Sequence, residues 1–249
     1  MDILNPIRKM YFLLKKSRAS IPLGSLSFCI ISRLLRPSLT DVMKREIKQG
    51  MVVVDVGANI GYYSILASKL VGAKGRVYAF EPDEHNFEKM QKNLKANCCR
   101  NVSAFLFAVA DKTKRVRLYV SHEDPSDHRT YYTKGRKTRS IKAVSLDGFI
   151  RENVGFVKID VEGYEPMVFK GMQRLLKNPD IKIITEFQPH SLRDAGYTPD
   201  NYLKSYMNLG FKLFLVKERE SQAQPISISY AYRWMPLNNR VNCNILCKR

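Results

Sequence analysis

The chain has 249 residues, 45% of them hydrophobic, which indicates a folded domain with a sizeable core rather than a disordered chain. Lysine and arginine total 42 against 23 acidic residues, and the formal charge of +19 favours a partner such as nucleic acid, anionic lipid or an acidic substrate. The five cysteines form no paired C-x-x-C set, which argues against zinc. Their odd number without a secretory signal favours a reducing, cytoplasmic compartment.

Residues 1–37 form a basic amphipathic segment. Its apolar patch, at residues 28–31, is shorter than the roughly 20 residues that cross a bilayer, and Pro22 and Gly24 interrupt the segment. We expect this extension to cap the folded domain. The alternatives are peripheral binding to an anionic membrane surface and a lid over the site.

Helices and strands alternate along the next part of the chain, which indicates βαβ units on a parallel sheet. Hydrophobic periodicity predicts helices at residues 38–48, 60–70 and 83–97. It predicts strands at residues 52–56, 76–80 and 102–109.

A different pattern follows between residues 111 and 143. The short alternating runs "VRLYV" and "RSIKAV" flank the polar stretch "SHEDPSDHRTYYTKGRKT", which predicts a hairpin with an exposed loop. The earlier alternation then returns, and no repeat or long linker divides the chain, so we expect one domain at residues 38–249. Strands are predicted at residues 156–159, 181–187 and 211–216 and in "VNCNILC", and helices at residues 166–176 and 199–209.

The stretch "DVGANIG", residues 55–61, joins a predicted buried strand to a predicted helix. Gly57 and Gly61 have no side chain, so a ligand can approach the backbone there. The dinucleotide fingerprint G-x-G-x-x-G does not match, and no phosphate-binding G-K-[ST] is present. The turn is predicted to hold a flat or anionic ligand.

Glu81 ends the next strand, in "RVYAFEPD". An acidic residue at this place commonly accepts hydrogen bonds from the two hydroxyls of an adenosine ribose, and its spacing from Gly61 suits that role. The alternative is a helix-capping or surface carboxylate before Pro82. Because it follows the glycine turn, we assign Glu81 to the ribose.

Several blocks stand in an order and spacing that resemble the FkbM family of S-adenosylmethionine-dependent methyltransferases, over residues 52–214. The blocks are "VVVDVGANIGYYSILAS", "AFEPDEHNFEKMQKNL", "SLDGFI", "VGFVKIDVEGYEPMVFKG" and "IITEFQPH". The resemblance implies an α/β class I methyltransferase fold, which is a Rossmann-like, seven-stranded, mostly parallel sheet with helices on both faces and an antiparallel last strand. It also implies S-adenosyl-L-methionine as cofactor.

The resemblance further implies roles for residues at the strand ends. Asp160 in "KIDVEGYE" would lie near the methyl group and the substrate, with Glu162 beside it; alternatively, both carboxylates only offset a helix dipole. The implied cofactor residues are Asp55, Gly57, Asn59 and Gly61 in the loop, Glu81 at the ribose, and Val109, Ala110 and Asp111 beside the adenine.

Transfer of a methyl group to a hydroxyl requires an aligned acceptor, and a general base within about 3 Å would take its proton. Glu186 and Asp160 are the first candidates, because a carboxylate at the end of an apolar strand is costly unless it is paired or used. Glu162, His190 and His128 are further candidates, although His190 fits a helix entry turn and His128 a solvated loop equally well. Asp160 could alternatively ligate a metal, but no metal-binding pattern calls for one, so no metal is predicted.

The basic segment around Arg129 and His128 is expected to hold an anionic substrate, unless it is only a solvated hairpin face. The predicted function is O-methylation of a hydroxyl on a small molecule, a sugar or glycan, or a lipid. The alternatives are an RNA methyltransferase that uses the basic surface, with nucleic acid the less expected partner, and a non-enzymatic membrane-surface or partner-binding protein.

Overall fold

The computed structural model describes residues 37–121, 127–216, 223–227 and 243–249. The predicted extension therefore lies outside the described residues except for Pro37, and so does part of the predicted hairpin loop, at residues 122–126. Within the described ranges, no helix combines the length and the apolar character that a bilayer span requires.

The described strands belong to two sheets. In chain order they are β1 (Val52–Val56), β2 (Arg76–Phe80), β3 (Val102–Phe105), β4 (Ala108–Val109), β5 (Lys114–Val120), β6 (Lys137–Val144), β7 (Val154–Ile159), β8 (Lys182–Phe187), β9 (Lys212–Val216), β10 (Gln224–Pro225) and β11 (Cys243–Lys248).

The larger sheet has the order β10–β9–β11–β8–β7–β1–β2–β3. The run from β8 to β3 is parallel, whereas β11 lies antiparallel between β8 and β9. This arrangement confirms the predicted seven-stranded, mostly parallel sheet with an antiparallel last strand. The short strand β10 adds an eighth member at the edge, antiparallel to β9.

Helices cover both faces of this sheet. Neighbouring residues of a strand point to opposite faces, so apolar side chains on each face pack against the helices on that side. In β1, Val53 packs in a cluster with Leu39 and Ile65. Its neighbour Val54 packs in the other cluster, with Phe169 and Tyr206. The helices are α1 (Pro37–Glu46), α2 (Tyr62–Val71), α3 (Glu84–Ala96), α4 (Leu146–Phe149), α5 (Glu165–Lys170), α6 (Pro189–Asp194) and α7 (Pro199–Met207), with a 3-10 helix at Leu175–Lys177.

The smaller sheet confirms the predicted hairpin. Its strands β5 and β6 pair antiparallel, and β4 pairs parallel with β6. Arg115 of β5 stands directly opposite Lys142 of β6, and both side chains are exposed. The hairpin therefore presents like charges on one face.

Two predicted elements differ from the structure by more than two residues at one end. The strand predicted at residues 102–109 is divided, because β3 ends at Phe105, whose ring packs 4.8 Å from that of Phe149, while Ala108 pairs with β6 in the smaller sheet. The helix predicted at residues 166–176 stops at Lys170. The next residue, Gly171, lies so close to the carbonyl group of Ala110 that a side chain would overlap it.

Candidate active site

The candidate site lies where β1, β2, β7 and β8 end, at the carboxyl edge of the parallel strands. Ligands of open α/β sheets bind at this edge. The backbone joins these ends directly: the amides of Gly57 and Ala58 donate to the carbonyl of Phe80, at 3.0 and 2.9 Å, and the amide of Asp160 donates to the carbonyl of Val56 at 3.0 Å. The loops after β1, β2 and β7 therefore meet.

The turn after β1 depends on glycine. Gly57 and Gly61 have φ values of +77° and +87°, and Asn59 between them has a φ of +52°. A β-carbon on Gly57 would overlap the backbone carbonyl of Asp160, and one on Gly61 would lie 2.8 Å from the side chain of Met90. The missing side chains thus let the turn pack against the end of β7 and against α3.

Glu81 is buried, with 5% of its surface exposed, so it is not the surface carboxylate of the alternative interpretation. Its Oε2 accepts from the amide of Asn59 at 2.7 Å, and its Oε1 accepts from the amide of Asp83 at 2.9 Å. Burial raises its pKa to about 7. The side chain of Asn86 is a third donor to this carboxylate. A carboxylate has about four acceptor positions, so Glu81 retains acceptor capacity for ligand hydroxyls beside the turn.

A buried lysine joins two of the predicted site residues. Lys158 of β7 pairs in register with Asp55 of β1. Its Nζ lies 3.3 Å from Asp55 Oδ1 and 3.4 Å from Asp160 Oδ2. Lys158 was not among the residues predicted for the site, although a single cation inside the apolar run "VGFVKI" was a signal in the sequence.

Three predicted carboxylates come together at the ends of β7 and β8. Oxygen atoms of Asp160, Glu162 and Glu186 all lie within 4.8 Å of one another. Burial, and then the charges of Asp160 and Glu165, raise the pKa of Glu162 to about 8. Such a cluster can accept protons from a substrate, and its spacing would also suit a divalent cation, which the sequence did not predict.

Glu186 is the most deeply placed of these three carboxylates, with 2% of its surface exposed. Its Oε2 accepts a hydrogen bond from Gln188 Nε2 at 2.7 Å. His190 lies in the first turn of α6 and is partly exposed, as the helix-entry interpretation expects. The structure therefore gives Glu186, more than His190, the buried setting of a reactive group.

The end of the hairpin loop returns to the same edge of the sheet. The Nε2 atom of His128 lies 3.7 Å from the buried carboxylate of Asp83, and Arg129 Nε donates to Asp127 at 2.7 Å. Asp127 lies near Glu162, because its charge is one of the smaller causes of the raised pKa of Glu162, behind burial and the charges of Asp160 and Glu165. The ring of Tyr131 packs beside Gly163. His128 thus lies at the end of β2, and Arg129 on the side of Glu162. Asp83 was not predicted as a site residue, because an aspartate at the start of a predicted helix is typical of a helix cap. Asp83 is indeed the N-terminal cap of α3.

Ala110 and Asp111 do not stand at the end of the third strand, since β3 ends at Phe105. Ala110 is fully buried against Gly171, and its amide donates to the carbonyl of Val144 at 2.8 Å. Asp111 forms an ion pair with Lys114, at 2.5 Å. The premise for their role beside the adenine was therefore wrong, and the role itself stays a prediction.

The matched family model and the similar curated proteins are methyltransferases. A family model described as "Methyltransferase FkbM domain" matches residues 55–213. The hexuronic acid methyltransferase AglP of Haloferax volcanii is 26% identical over 147 residues, which cover 57% of this chain and 59% of AglP. The protein-L-isoaspartate O-methyltransferase of Methanothrix thermoacetophila is 36% identical over 61 residues, covering 24% of this chain and 29% of that protein.

Solved structures share the fold. A methyltransferase FkbM from Methylobacillus flagellatus has a TM-score of 0.52 at 16% identity, covering 99% of this chain and 60% of that one. A SAM-dependent O-methyltransferase from Thermotoga maritima has a TM-score of 0.51 at 13% identity, covering 85% of this chain and 65% of that one. The chain thus spans about three-fifths of the length of AglP and of the M. flagellatus protein.

Proposed function

Because the chain belongs to the methyltransferase FkbM domain family, we propose that it is an S-adenosyl-L-methionine-dependent methyltransferase whose active site is the sheet edge beside Gly57. One observation carries this proposal: Gly57 packs directly against Asp160. The contact brings a turn suited to a nucleoside cofactor beside a cluster of carboxylates suited to an acceptor hydroxyl.

The cofactor would be held by the turn and by Glu81. The buried Glu81 carboxylate would accept hydrogen bonds from the two ribose hydroxyls, and the turn of Gly57, Asn59 and Gly61 would pass close to the remainder of the cofactor. Asp55 would support this turn from β1, where its Oδ2 accepts from Ser64 Oγ at 2.7 Å. When bound, the cofactor supplies an electrophilic methyl group.

The carboxylate cluster would position the acceptor and remove its proton. Glu186 is the proposed general base, since it is buried and stands within reach of Asp160 and Glu162. Glu162, with a pKa of about 8, is largely protonated at neutral pH and would donate a hydrogen bond to an acceptor oxygen. Glu186 and Glu162 would thus act on the same hydroxyl, one as base and one as hydrogen-bond donor.

A hydroxyl of an acidic sugar is the proposed acceptor. Arg129 and Arg136 both pair with Asp127, so two guanidinium groups share one carboxylate on the Glu162 side of the site. The remaining positive charge would suit an acceptor that carries a carboxylate. The likeness to a hexuronic acid methyltransferase supports this choice.

Calorimetric titration of S-adenosylmethionine and S-adenosylhomocysteine into wild type and Glu81→Ala tests the cofactor site. Loss of two hydrogen bonds to an ionised group, each about 1.5–3 kcal/mol, predicts at least about 100-fold weaker binding in the variant. Absence of binding by folded wild type would overturn the proposal.

An acceptor screen with the radiolabelled methyl donor then compares hexuronic acids with the matching neutral hexoses. Preference for the acid, reduced in Arg129→Gln, is the expected result. Equal methyl transfer to the acids and to the neutral hexoses would contradict the proposed preference for an acidic sugar, while methyltransferase activity itself would still be supported.

RNA is a second candidate acceptor, favoured by the exposed cations on the β5–β6 hairpin. Arg115, Arg117 and Lys142 point to the same side of these two strands, where like charges repel unless an anion lies between them. Binding of RNA that weakens steeply with salt, and further in Arg115→Glu, would support this alternative. A membrane-anchoring role for residues 1–37 falls outside the described chain and stays a prediction.

A further inference from the structure

Lys158 is a cation in the interior of the protein. The strand that carries it is otherwise apolar, and only 3% of its side chain is exposed. An ammonium group is costly to bury unless each of its donors meets an acceptor. The acceptors of Lys158 therefore indicate why the chain retains a lysine there.

The ammonium of Lys158 has three N–H donors and faces three oxygen atoms. These belong to the side chains of Asp55 and Asp160, at 3.3 and 3.4 Å, and to the backbone carbonyl of Gly57, at 3.5 Å. The ring of Tyr63 lies 5.0 Å away and adds a cation–π contact. Lys158 thus touches the turn, its supporting carboxylate and one member of the acidic cluster.

We propose that Lys158 is a positioning residue that links the Gly57 turn to the carboxylate of Asp160. This inference rests on the proposed function, because the turn is assigned there to the cofactor. Asp55 is fixed from the other side by Ser64 of α2, so the ammonium is held from a rigid strand pair. Asp160 is a quarter exposed, so its side chain has room to change rotamer without the ammonium.

A role confined to charge balance makes a different prediction from a positioning role. If Lys158 only neutralises Asp55, then removing both charges together restores stability, and the double variant binds the cofactor no more weakly than Asp55→Asn alone. If it positions the turn, then the double variant regains stability but binds the cofactor more weakly than Asp55→Asn, because the ammonium no longer holds the Gly57 carbonyl and Asp160.

The test compares wild type, Asp55→Asn, Lys158→Met and the double variant Asp55→Asn/Lys158→Met by urea unfolding and by calorimetric titration of S-adenosylmethionine. We expect Lys158→Met to lose stability and to bind about tenfold or more weakly, the effect of one lost hydrogen bond to a charged group. In the double variant we expect recovery of stability together with weaker binding than in Asp55→Asn. The double variant keeps the test decisive if Lys158→Met does not fold.

Lys182→Met is the matched control. Lys182 lies in the neighbouring strand β8 and pairs with Glu46 at 3.0 Å, at the opposite edge of the sheet from the site. Its replacement should lower stability and leave cofactor affinity unchanged. Equal affinity in the double variant and in Asp55→Asn, or normal affinity in Lys158→Met, would overturn the inference while wild type and Glu81→Ala still support the proposed function. Absence of binding by folded wild type would overturn both.

Discussion

A β-carbon on Gly57 would lie 2.9 Å from the carbonyl carbon of Asp160, and closer still to the carbonyl oxygen. Both partners are backbone segments at the ends of adjacent parallel strands, so neither can move without displacing its strand. The contact leaves no room for any side chain at residue 57.

Gly57→Ala should therefore lower stability strongly and abolish cofactor binding. Gly50→Ala is its matched control: Gly50 has nearly the same φ, +80°, but a β-carbon there would meet nothing within 4 Å. In Gly50→Ala the free energy of unfolding should fall only by the left-handed backbone penalty of about 1–2 kcal/mol. In Gly57→Ala it should fall by several kcal/mol more. Urea unfolding and calorimetry measure both effects, and equal losses in the two variants would contradict the steric argument.

Cofactor binding should depend on pH through Glu81. Its pKa of about 7 means that the carboxylate is mostly protonated at pH 6 and mostly ionised at pH 8. Since the ionised form accepts two hydroxyl hydrogen bonds, affinity should increase by up to about tenfold over this range. Glu81→Gln should bind weakly at both pH values, and comparing the two proteins removes any titration of the cofactor itself. If cofactor affinity has the same pH dependence in Glu81→Gln as in wild type, a group other than Glu81 causes that dependence.

Glu186→Gln should separate catalysis from cofactor binding. Loss of a general base typically lowers the rate by about 10²–10⁴-fold, whereas the cofactor turn lies on other strands and should keep its affinity. His190→Ala, at the partly exposed start of α6, is expected to change kcat much less. Single-turnover kinetics with the acceptor found by screening provide the measurement. A larger loss of kcat in His190→Ala than in Glu186→Gln would instead assign the general base to His190.

Glu165 should make the protein less stable as the pH rises. Within the part of the chain that the structure describes, its Oε1 accepts from the amides of Val161 and Gly163, whereas its Oε2 is buried without a hydrogen-bond partner. Burial raises its pKa from 4.5 to about 7. Because the folded-state pKa is the higher one, the destabilisation is absent below about pH 4.5, grows up to about pH 7 and is constant above. Glu165→Gln should then be up to about 3 kcal/mol more stable than wild type at pH 8 and no more stable at pH 4.

Glu46→Gln provides a control of opposite sign for that series. Although burial raises the pKa of Glu46, its ion pairs with Lys182 and Lys248 lower it overall. This stabilisation is present above pH 4.5 and is lost as the pH falls through the folded-state pKa. Glu46→Gln should therefore be less stable than wild type at neutral pH. If both variants shift stability in the same direction at pH 8, the burial argument for Glu165 is wrong.

Local sequence patterns predicted those elements whose ends are set by nearby residues. The strands at residues 52–56 and 76–80 have the predicted bounds, and the helix predicted at residues 83–97 is α3 with its two capping residues, Asp83 and Asn97. The break after Phe105 was not predictable in this way, because the run at residues 102–109 is apolar apart from Ser103 and only the partner strands differ. Lys158 was missed for the same reason: its meaning depends on Asp55, which lies opposite it only once the strands are paired.

The last described strand, β11, lies between β8 and β9 and hydrogen-bonds to both. A ribosome therefore releases these two neighbours before the strand that joins them. During synthesis, β8 and β9 each present an open edge, and such edges are templates on which other nascent chains can pair. The order of strands thus leaves the edges of β8 and β9 unpaired with β11 until residues 243–248 emerge.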